Sequence, residues 1–169
     1  MIKAIVAVSE DWSIGYKGDL LCYLPKDLKR FKEITQNNAV IMGRKTLESL
    51  PNGEPLKDRY NIVLTRDANF RKKDTLVMHS IQHLLAYTCL LEVINGLDIY
   101  VIGGGEIYEQ LLPEIDTIYV TKINHRFNKA DTYFPNLDKM KEWNVVEESE
   151  IHNEGGLEYK FMTYKRINK

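Results

Sequence analysis

The chain has 169 residues, of which 44% are hydrophobic and 28% are charged, and its 23 basic and 24 acidic residues give a net charge of -1. This size fits one domain with a sizeable core, and the balanced charge excludes an overall field that would attract nucleic acid or an anionic membrane. Cys22 and Cys89 lack the spacing of a disulfide framework or a zinc site, which indicates a reducing, cytoplasmic setting. The N-terminal apolar stretch Ile2–Val8 is too short for a spanning helix or a signal peptide, and it predicts a buried strand.

Apolar, β-branched runs recur along the chain and predict strands separated by helical or loop-like segments. Pro25 predicts the first turn of a helix that ends near Asn37 and Asn38. Ser80 and Gly96 predict the N-cap and the end of a second helix. The predicted strands are Ile2–Val8, Ala39–Met42, Tyr60–Leu64, Thr75–Met78, Asp98–Ile102 and Thr117–Ile123.

The C-terminal part of the chain has a different pattern. Val145–Ile151 and Glu158–Tyr164 flank a turn sequence at 153–156, which predicts an antiparallel hairpin. The whole pattern predicts a single α/β domain with a mixed, mainly parallel central sheet, helices on both faces and a C-terminal antiparallel hairpin.

The segment Ser9–Leu24 is long, contains Gly15 and Gly18, and follows a buried strand. A long loop in this position is typical of a functional element, and the apolar residues at its end indicate that part of it covers a site. We therefore expect a lid, with an ordinary surface loop as the alternative.

A glycine turn, Gly103-Gly104-Gly105, lies between a predicted strand and an apparent helix over Glu106–Leu112. Bare backbone N–H groups and the helix dipole at such a turn suit a diphosphate, although a tight strand-to-helix connection is the alternative. The turn is not a GxGxxG fingerprint, because Tyr108 occupies the position of the third glycine.

Two basic groups follow neighbouring predicted strands: Arg44, Lys45 and Thr46 after one, and Thr65 and Arg66 after the other. Ligands bind at the carboxyl ends of strands in open α/β sheets. Guanidinium groups beside hydroxyls suit a phosphate monoester such as the 2′-phosphate of NADPH. A single arginine is more often a surface charge, so only the joint placement favours a cofactor site.

Asp27 lies on the helix face that carries Leu24, Phe31 and Ile34. A carboxylate on an apolar face needs a partner. The residue pattern leaves three interpretations open: a ligand site, a charge stabilised by the helix N-terminus, or a structural ion pair.

These residues, taken together, resemble the dihydrofolate reductase family across nearly the whole chain. The stretches that match are Ile5-Val6-Ala7, Ile14-Gly15, Leu24–Lys32, Val40–Thr46, Val101–Tyr108 and Asp131–Pro135. The resemblance implies NADPH-dependent reduction of 7,8-dihydrofolate to tetrahydrofolate, by hydride transfer to pterin C6 with protonation of N5. Antifolate inhibitors are the other ligands that it implies.

The resemblance also implies the site residues. Asp27, Thr121 and the lid residue Leu20 are expected to be catalytic, and Arg59 is expected to pair with the α-carboxylate of the substrate. The implied substrate site comprises Ile5, Ala7, Asp27, Leu28, Phe31, Lys32, Leu50, Leu56, Arg59 and Thr121. The implied NADPH site comprises Ala7, Ile14, Gly15, Gly43, Arg44, Lys45, Thr46, Leu64, Thr65, Arg66, Ile102, Gly103, Gly104, Gly105, Glu106, Ile107 and Tyr108.

Two other functions are compatible with parts of this pattern. A pyrimidine reductase of riboflavin synthesis shares the fold and NADPH, but it would have a ribityl-phosphate pocket instead of Asp27 and Arg59. A catalytically silent folate or NADPH binder is the other alternative. An assay of NADPH oxidation with dihydrofolate separates all three.

The chain departs from the family pattern at Leu21-Cys22, where most relatives carry Pro-Trp. Because a thiol is a poor substitute for the indole donor, we expect a changed water network near the pterin. No exposed apolar face stands out, which predicts a monomer. His79 and His83 have metal-compatible spacing but no third ligand, so we expect surface histidines and no metal.

Overall fold

The computed structural model describes residues 1–167, and its elements follow the predicted α/β alternation. In chain order they are β1 (Ile2–Val8), β2 (Ser13–Tyr16), β3 (Asp19–Leu20), α1 (Pro25–Thr35), β4 (Ala39–Gly43), α2 (Arg44–Ser49), β5 (Tyr60–Leu64), β6 (Leu76–Met78), α3 (Ile81–Asn95), β7 (Ile99–Gly103), α4 (Gly105–Leu111), β8 (Ile115–Ile123), β9 (Thr132–Tyr133), β10 (Trp143–Glu148), β11 (His152–Glu154) and β12 (Leu157–Arg166).

Nine strands of the described region form the main sheet, in the order β10-β12-β8-β1-β7-β4-β5-β6, with β11 also paired to β12. The pairs from β8 to β6 are parallel. The pairs that involve β12 are antiparallel. The mixed, mainly parallel sheet with a C-terminal antiparallel hairpin is therefore confirmed.

Helices cover both faces of this sheet, as predicted. Successive side chains of each buried strand point to opposite faces, so each strand contributes to the core on both sides. Ala39 and Ile41 of β4 belong to the larger core cluster, which includes residues of α3 and α4. Val40 and Met42 belong to a second cluster, which includes residues of α1 and α2. Near-continuous apolar strands are what a parallel sheet buried on both faces requires.

The helix-end signals in the sequence have the expected physical basis. The Ser80 hydroxyl accepts a hydrogen bond from the His83 N–H, and Gly96 ends α3 with a left-handed φ of 64°. Pro25 occupies the first turn of α1. His79 and His83 are both exposed, so the prediction of surface histidines is confirmed.

Two parts of the structure differ from the sequence-based predictions. The segment after β4, expected only to carry basic groups, forms the short helix α2. The expected lid loop contains β2 and β3, and β2 pairs with both β3 and β9 in a separate three-stranded sheet. This pairing joins segments that are distant in the chain, and the alternation of residues within either segment is too short to predict it.

The reason for expecting a monomer was wrong, because α3 presents an apolar surface. The side chains of Leu90, Val93 and Ile94 are 49%, 77% and 68% exposed. The monomer itself stays a prediction. Within residues 1–167, none of the helices combines the length and apolar character needed to span a bilayer.

The helix α3 offers a matched test of the core. We expect Leu84→Ala, at a fully buried position (0% exposed), to lower the free energy of unfolding by about 2–5 kcal/mol. Leu90→Ala makes the same chemical change in the same helix at an exposed position, and its effect should stay within about 0.5 kcal/mol. Urea unfolding of both variants measures the difference, and equal losses would contradict this packing.

Candidate active site

A large cleft opens where the parallel strands β1, β4, β5 and β7 end. Its volume is about 2060 Å³, and α1, α2, α4 and the segment that contains β2 and β3 contribute to its walls. The carboxyl ends of strands are where open α/β sheets bind ligands. The cleft is large enough for two ligands of the size expected from the sequence.

The structure brings nearly all of the expected site residues to this one cleft. The exception is Thr121, which is buried and does not line it. The expected residues that line the cleft are Ile5, Ala7, Ile14, Gly15, Leu20, Asp27, Leu28, Phe31, Lys32, Gly43, Arg44, Lys45, Thr46, Leu50, Leu56, Arg59, Leu64, Thr65, Arg66, Ile102 and the run 103–108.

Asp27 is held between α1 and the sheet. The Thr121 hydroxyl on β8 donates a hydrogen bond of 2.5 Å to Oδ1 of Asp27, so Thr121 contacts the site through this carboxyl. Burial raises the pKa of Asp27, the Thr121 hydrogen bond and the charge of Arg30 oppose this rise, and the charge of Glu154 adds to it. Asp27 therefore holds a proton over a wider pH range than an exposed carboxyl does.

Arg59 is oriented by residues that sequence reasoning did not identify. Its Nε donates to the hydroxyl of buried Thr35 at 3.1 Å, and that hydroxyl donates to the Phe31 carbonyl at 2.8 Å. The side chain of Asn61 bonds to both backbone groups of Leu56 and to the carbonyl of Arg59. These contacts fix the loop that carries Arg59, and nothing in the local sequence around Thr35 or Asn61 indicates them.

Basic side chains collect at the other end of the cleft. Gly43 and Leu64 are paired in register at the ends of β4 and β5, so the residues that follow them emerge side by side. Arg44 pairs with Glu48 at 2.8 Å, and Arg66 lies 3.8 Å from Glu106 at the start of α4. An incoming phosphate would replace these exposed carboxylates as the partner of the two arginines.

The glycine turn between β7 and α4 presents bare backbone to the cleft. A Cβ added to Gly105 would lie 2.7 Å from Cγ2 of Thr132, and one added to Gly104 would lie 3.3 Å from the hydroxyl of Thr46. A side chain at Gly105 would therefore require Thr132 to shift, and one at Gly104 would crowd Thr46. Tyr108, in the first turns of α4, is buried and donates its hydroxyl to the Ile5 carbonyl at 2.7 Å, which ties α4 to β1.

The segment Ser9–Leu24, which is expected to form a lid, is anchored by Asp131, a residue to which sequence reasoning gave no role. The Lys17 N–H donates to Oδ2 of Asp131 at 2.9 Å, and the Asp131 N–H donates to the Gly15 carbonyl at 3.0 Å. The sequence feature that could have identified Asp131 is its position in the stretch Asp131–Pro135, which matches the family pattern. Leu20, at the lid tip, has a side chain that is 68% exposed and available to cover a ligand.

Cys22 lies at the Asp27 end of the cleft. Its side chain is half-buried and packs against a small apolar cluster that includes Leu24, Tyr159 and Phe161. Burial raises the pKa of the Cys22 thiol, and the nearby charge of Asp27 adds to this rise. The thiol is therefore neutral near pH 7.

Comparison with known proteins places this geometry in a family. The family model described as "Dihydrofolate reductase" matches residues 1–166. The dihydrofolate reductase of Staphylococcus haemolyticus is 40% identical over 169 residues, which cover 98% of this chain and 96% of the relative. That of Bacillus subtilis (strain 168) is 36% identical over 171 residues, with 99% and 96% covered.

Solved structures give the same result. The dihydrofolate reductase from Enterococcus faecalis, complexed with NADP(H) and RAB-propyl, matches with a TM-score of 0.86 and 34% identity, over 99% of this chain and 97% of that chain. These matches confirm the predicted fold and the prediction that the chain is a dihydrofolate reductase. They favour this function over that of a pyrimidine reductase. The chain belongs to the dihydrofolate reductase family.

Proposed function

We propose that the cleft binds dihydrofolate and NADPH together and that Asp27 is the acid-base group of the reaction. The reaction itself, reduction of 7,8-dihydrofolate to tetrahydrofolate with NADPH, is that of the family to which the chain belongs. The observation that carries the proposed roles is the buried carboxyl of Asp27, which lies at the apolar end of the cleft with its pKa raised by burial.

The pterin ring binds at the Asp27 end. Ile5, Ala7, Leu28 and Phe31 line this part of the cleft and offer apolar surface to the two faces of a flat ring. The carboxyl of Asp27 accepts hydrogen bonds from the amidine-like edge of the pterin, and Thr121 holds Oδ1 of that carboxyl in place. Hydrogen bonds between this carboxyl and the edge of the pterin select one orientation of the ring.

The aminobenzoyl-glutamate tail extends from the pterin toward Arg59. Leu50 and Leu56 flank the aromatic ring of the tail, while Lys32 and Arg59 offer positive charge to its carboxylates. Arg59 pairs with the α-carboxylate, because its Nε is already fixed by Thr35 and its guanidinium fork suits a carboxylate.

The residues at the opposite end fit NADPH. Gly104 and Gly105 carry no side chains and have little space for them, so their backbone N–H groups are open to the diphosphate. Thr46 adds a hydroxyl there, and the nicotinamide lies by Ala7, Ile14, Gly15 and Tyr108. The adenosine 2′-phosphate is bound by Arg44, Lys45, Thr65 and Arg66.

The bound cofactor supplies a hydride to C6 of the pterin. Asp27 keeps a proton available beside the ring and favours the protonated substrate, since N5 must acquire a proton in the same reduction. That proton reaches N5 through water admitted beside Leu20. The lid, held closed by Asp131, excludes bulk water while the hydride moves, and its reopening limits product release.

We also propose that the chain acts as a monomer in the cytoplasm, without nucleic acid or a membrane, and that antifolates occupy its pterin site. The net charge of -1 supports the absence of a polyanionic partner. The apolar surface of α3 is the feature that argues for a dimer.

Asp27→Asn tests the acid-base role. We expect the variant to bind NADPH normally but to lose roughly 10²- to 10⁴-fold in hydride-transfer rate near pH 7, the contribution of a positioned acid. The deficit should shrink as the pH falls, because dihydrofolate then arrives already protonated. Stopped-flow single turnovers measure the rate. Glu33→Gln, on the exposed side of the same helix, is the control, and full activity of Asp27→Asn would overturn the assignment.

Replacing both Arg44 and Arg66 with Gln tests the 2′-phosphate site. Each charge-assisted hydrogen bond contributes about 1.5–3 kcal/mol, so NADPH should bind roughly 100-fold more weakly or worse, and NADH should be affected much less. Calorimetric titration with both cofactors measures this difference. The variant with Lys29 and Lys139 changed to Gln removes the same charge outside the cleft. Equal losses for the two cofactors would show that these arginines do not bind the 2′-phosphate.

Alkylation tests the position of Cys22, in a chain with the exposed Cys89 replaced by Ser. Because its pKa is raised, the Cys22 thiol should react slowly near neutral pH and faster in base. A saturating antifolate should slow the reaction further by covering the pterin site. Mass spectrometry measures the labelled fraction, and labelling that is insensitive to the antifolate would place Cys22 outside the site.

A further inference from the structure

The side of α1 that faces the sheet carries a second charged residue beside Asp27. Arg30 is three residues further along, which places it next to Asp27 on the same helix face. Its guanidinium carbon lies 4.3 Å from the ring centroid of Phe161 and 5.7 Å from that of Tyr119. One of its nitrogens, Nη1, is buried with no hydrogen-bond partner within residues 1–167. The positive charge is thus held against aromatic rings rather than in a close ion pair.

The strand register explains why Arg30 and Asp27 lie close together. Phe161 of β12 is paired with Thr121 of β8. Phe161 contacts Arg30, and Thr121 donates to the carboxyl of Asp27. Paired residues of adjacent strands therefore contact both side chains of the helix.

Glu154 approaches Asp27 from the opposite direction, on the C-terminal hairpin. It accepts a hydrogen bond from the Lys26 N–H at 3.2 Å and another from the Tyr159 hydroxyl at 3.3 Å. Leu24 supplies no side-chain cap to α1, so Glu154 satisfies an open N–H group of the helix from a distant part of the chain. Because Lys26 directly precedes Asp27 in α1, this contact holds the carboxylate of Glu154 near Asp27.

We propose that Arg30 and Glu154 are positioning residues that bias the carboxyl of Asp27 toward opposite protonation states. Arg30 favours the carboxylate, and Glu154 favours the neutral acid. Their balance sets the pH range over which the enzyme keeps a proton beside the pterin. This part of the inference rests on the proposed role of Asp27 in dihydrofolate reduction.

The other groups near Asp27 are uncharged around neutral pH. Thr121 is a neutral donor, and burial raises the pKa of Cys22. Burial also raises the pKa of Tyr108 on α4, and that of Tyr159 on β12 to about 12.

Two further residues act on Arg30 rather than on Asp27. The charge of Glu147 on β10 acts on the guanidinium, and its carboxylate accepts a hydrogen bond from Thr163. Tyr119 of β8 lies beside the same guanidinium. Among the described residues, Arg30 and Glu154 are therefore the charged groups that act directly on Asp27.

Removing the charge of Arg30 and removing the charge of Glu154 should shift the pKa of Asp27 in opposite directions, so the two effects can be distinguished. Removal of the Arg30 charge raises the pKa of Asp27, so fast reduction should persist to higher pH. Removal of the Glu154 charge lowers the pKa of Asp27, so the rate should begin to fall at lower pH. A residue that only stabilises the fold would move neither midpoint in a direction that depends on its charge.

The experiment uses Arg30→Met, which keeps the stem that packs on Phe161, and Glu154→Gln, which keeps an acceptor for the Lys26 N–H. Arg30→Lys retains the charge, and Arg30→Gln replaces the Met variant if that does not fold. The matched controls are Lys29→Gln on the exposed side of α1 and Glu158→Gln on the hairpin. Carbon-13 NMR follows the titration of the Asp27 carboxyl, assigned by its loss in Asp27→Asn. Single-turnover stopped flow follows the pH dependence of hydride transfer.

We expect the titration midpoint of Asp27 to rise in Arg30→Met and to fall in Glu154→Gln. In the double variant it should lie between these two values. In Arg30→Lys and in both controls it should stay near that of the parent protein. Midpoints that do not move, or that move in the same direction in both variants, would overturn the inference. If the Asp27 titration shifts as expected while the rate profile stays fixed, the electrostatic inference stands and the proposed acid-base role of Asp27 fails.

Discussion

The burial of one carboxyl, that of Asp27, is the constraint on which the cleft depends. An ionised carboxylate in apolar surroundings is costly unless it is paired and hydrogen-bonded. Thr121 supplies one hydrogen bond, and Arg30 offsets part of the charge without a direct ion pair. The remaining cost is removed either by protonation, which the raised pKa of Asp27 favours, or by a ligand that donates hydrogen bonds to the free part of the carboxyl. In the function proposed above, that ligand is the pterin with its donor edge.

The strand order brings the two halves of the cleft together next to this carboxyl. β1 lies in the centre of the sheet, between β8, which carries Thr121, and β7, which leads into the glycine turn. Ala7 near the end of β1 is consequently close to both halves of the cleft. A small side chain there leaves space at the point where, in the proposed complex, the nicotinamide and the pterin come together. Proximity of this kind is a large part of what an enzyme contributes to a transfer between two bound molecules.

Much of the fold could be predicted because its signals are local. The β-branched runs, Ser80, Gly96 and Pro25 act within a few residues of themselves, and the structure has the elements they predict. The missed features depend on distant contacts: Arg59 with Thr35, 24 residues apart, and Glu154 with the Lys26 N–H, 128 residues apart. The placement of Arg44 and Arg66 after two strands already favoured a cofactor site. Spacing alone left Asp27 with three interpretations, so the substrate site was predictable only through the family resemblance.

The distribution of charge also accounts for the orientation proposed for both ligands, in a chain that is almost neutral overall. Positive side chains occupy the two outer parts of the cleft, with Lys32 and Arg59 at one and Arg44 and Arg66 at the other, while Asp27 lies between apolar walls. Both ligands carry their negative charge at the end remote from the reacting ring. In the proposed complex, each ligand therefore enters with its charged end outward and its ring toward the centre. The outer charges then select the direction of entry, and Asp27 selects the edge of the pterin that it binds.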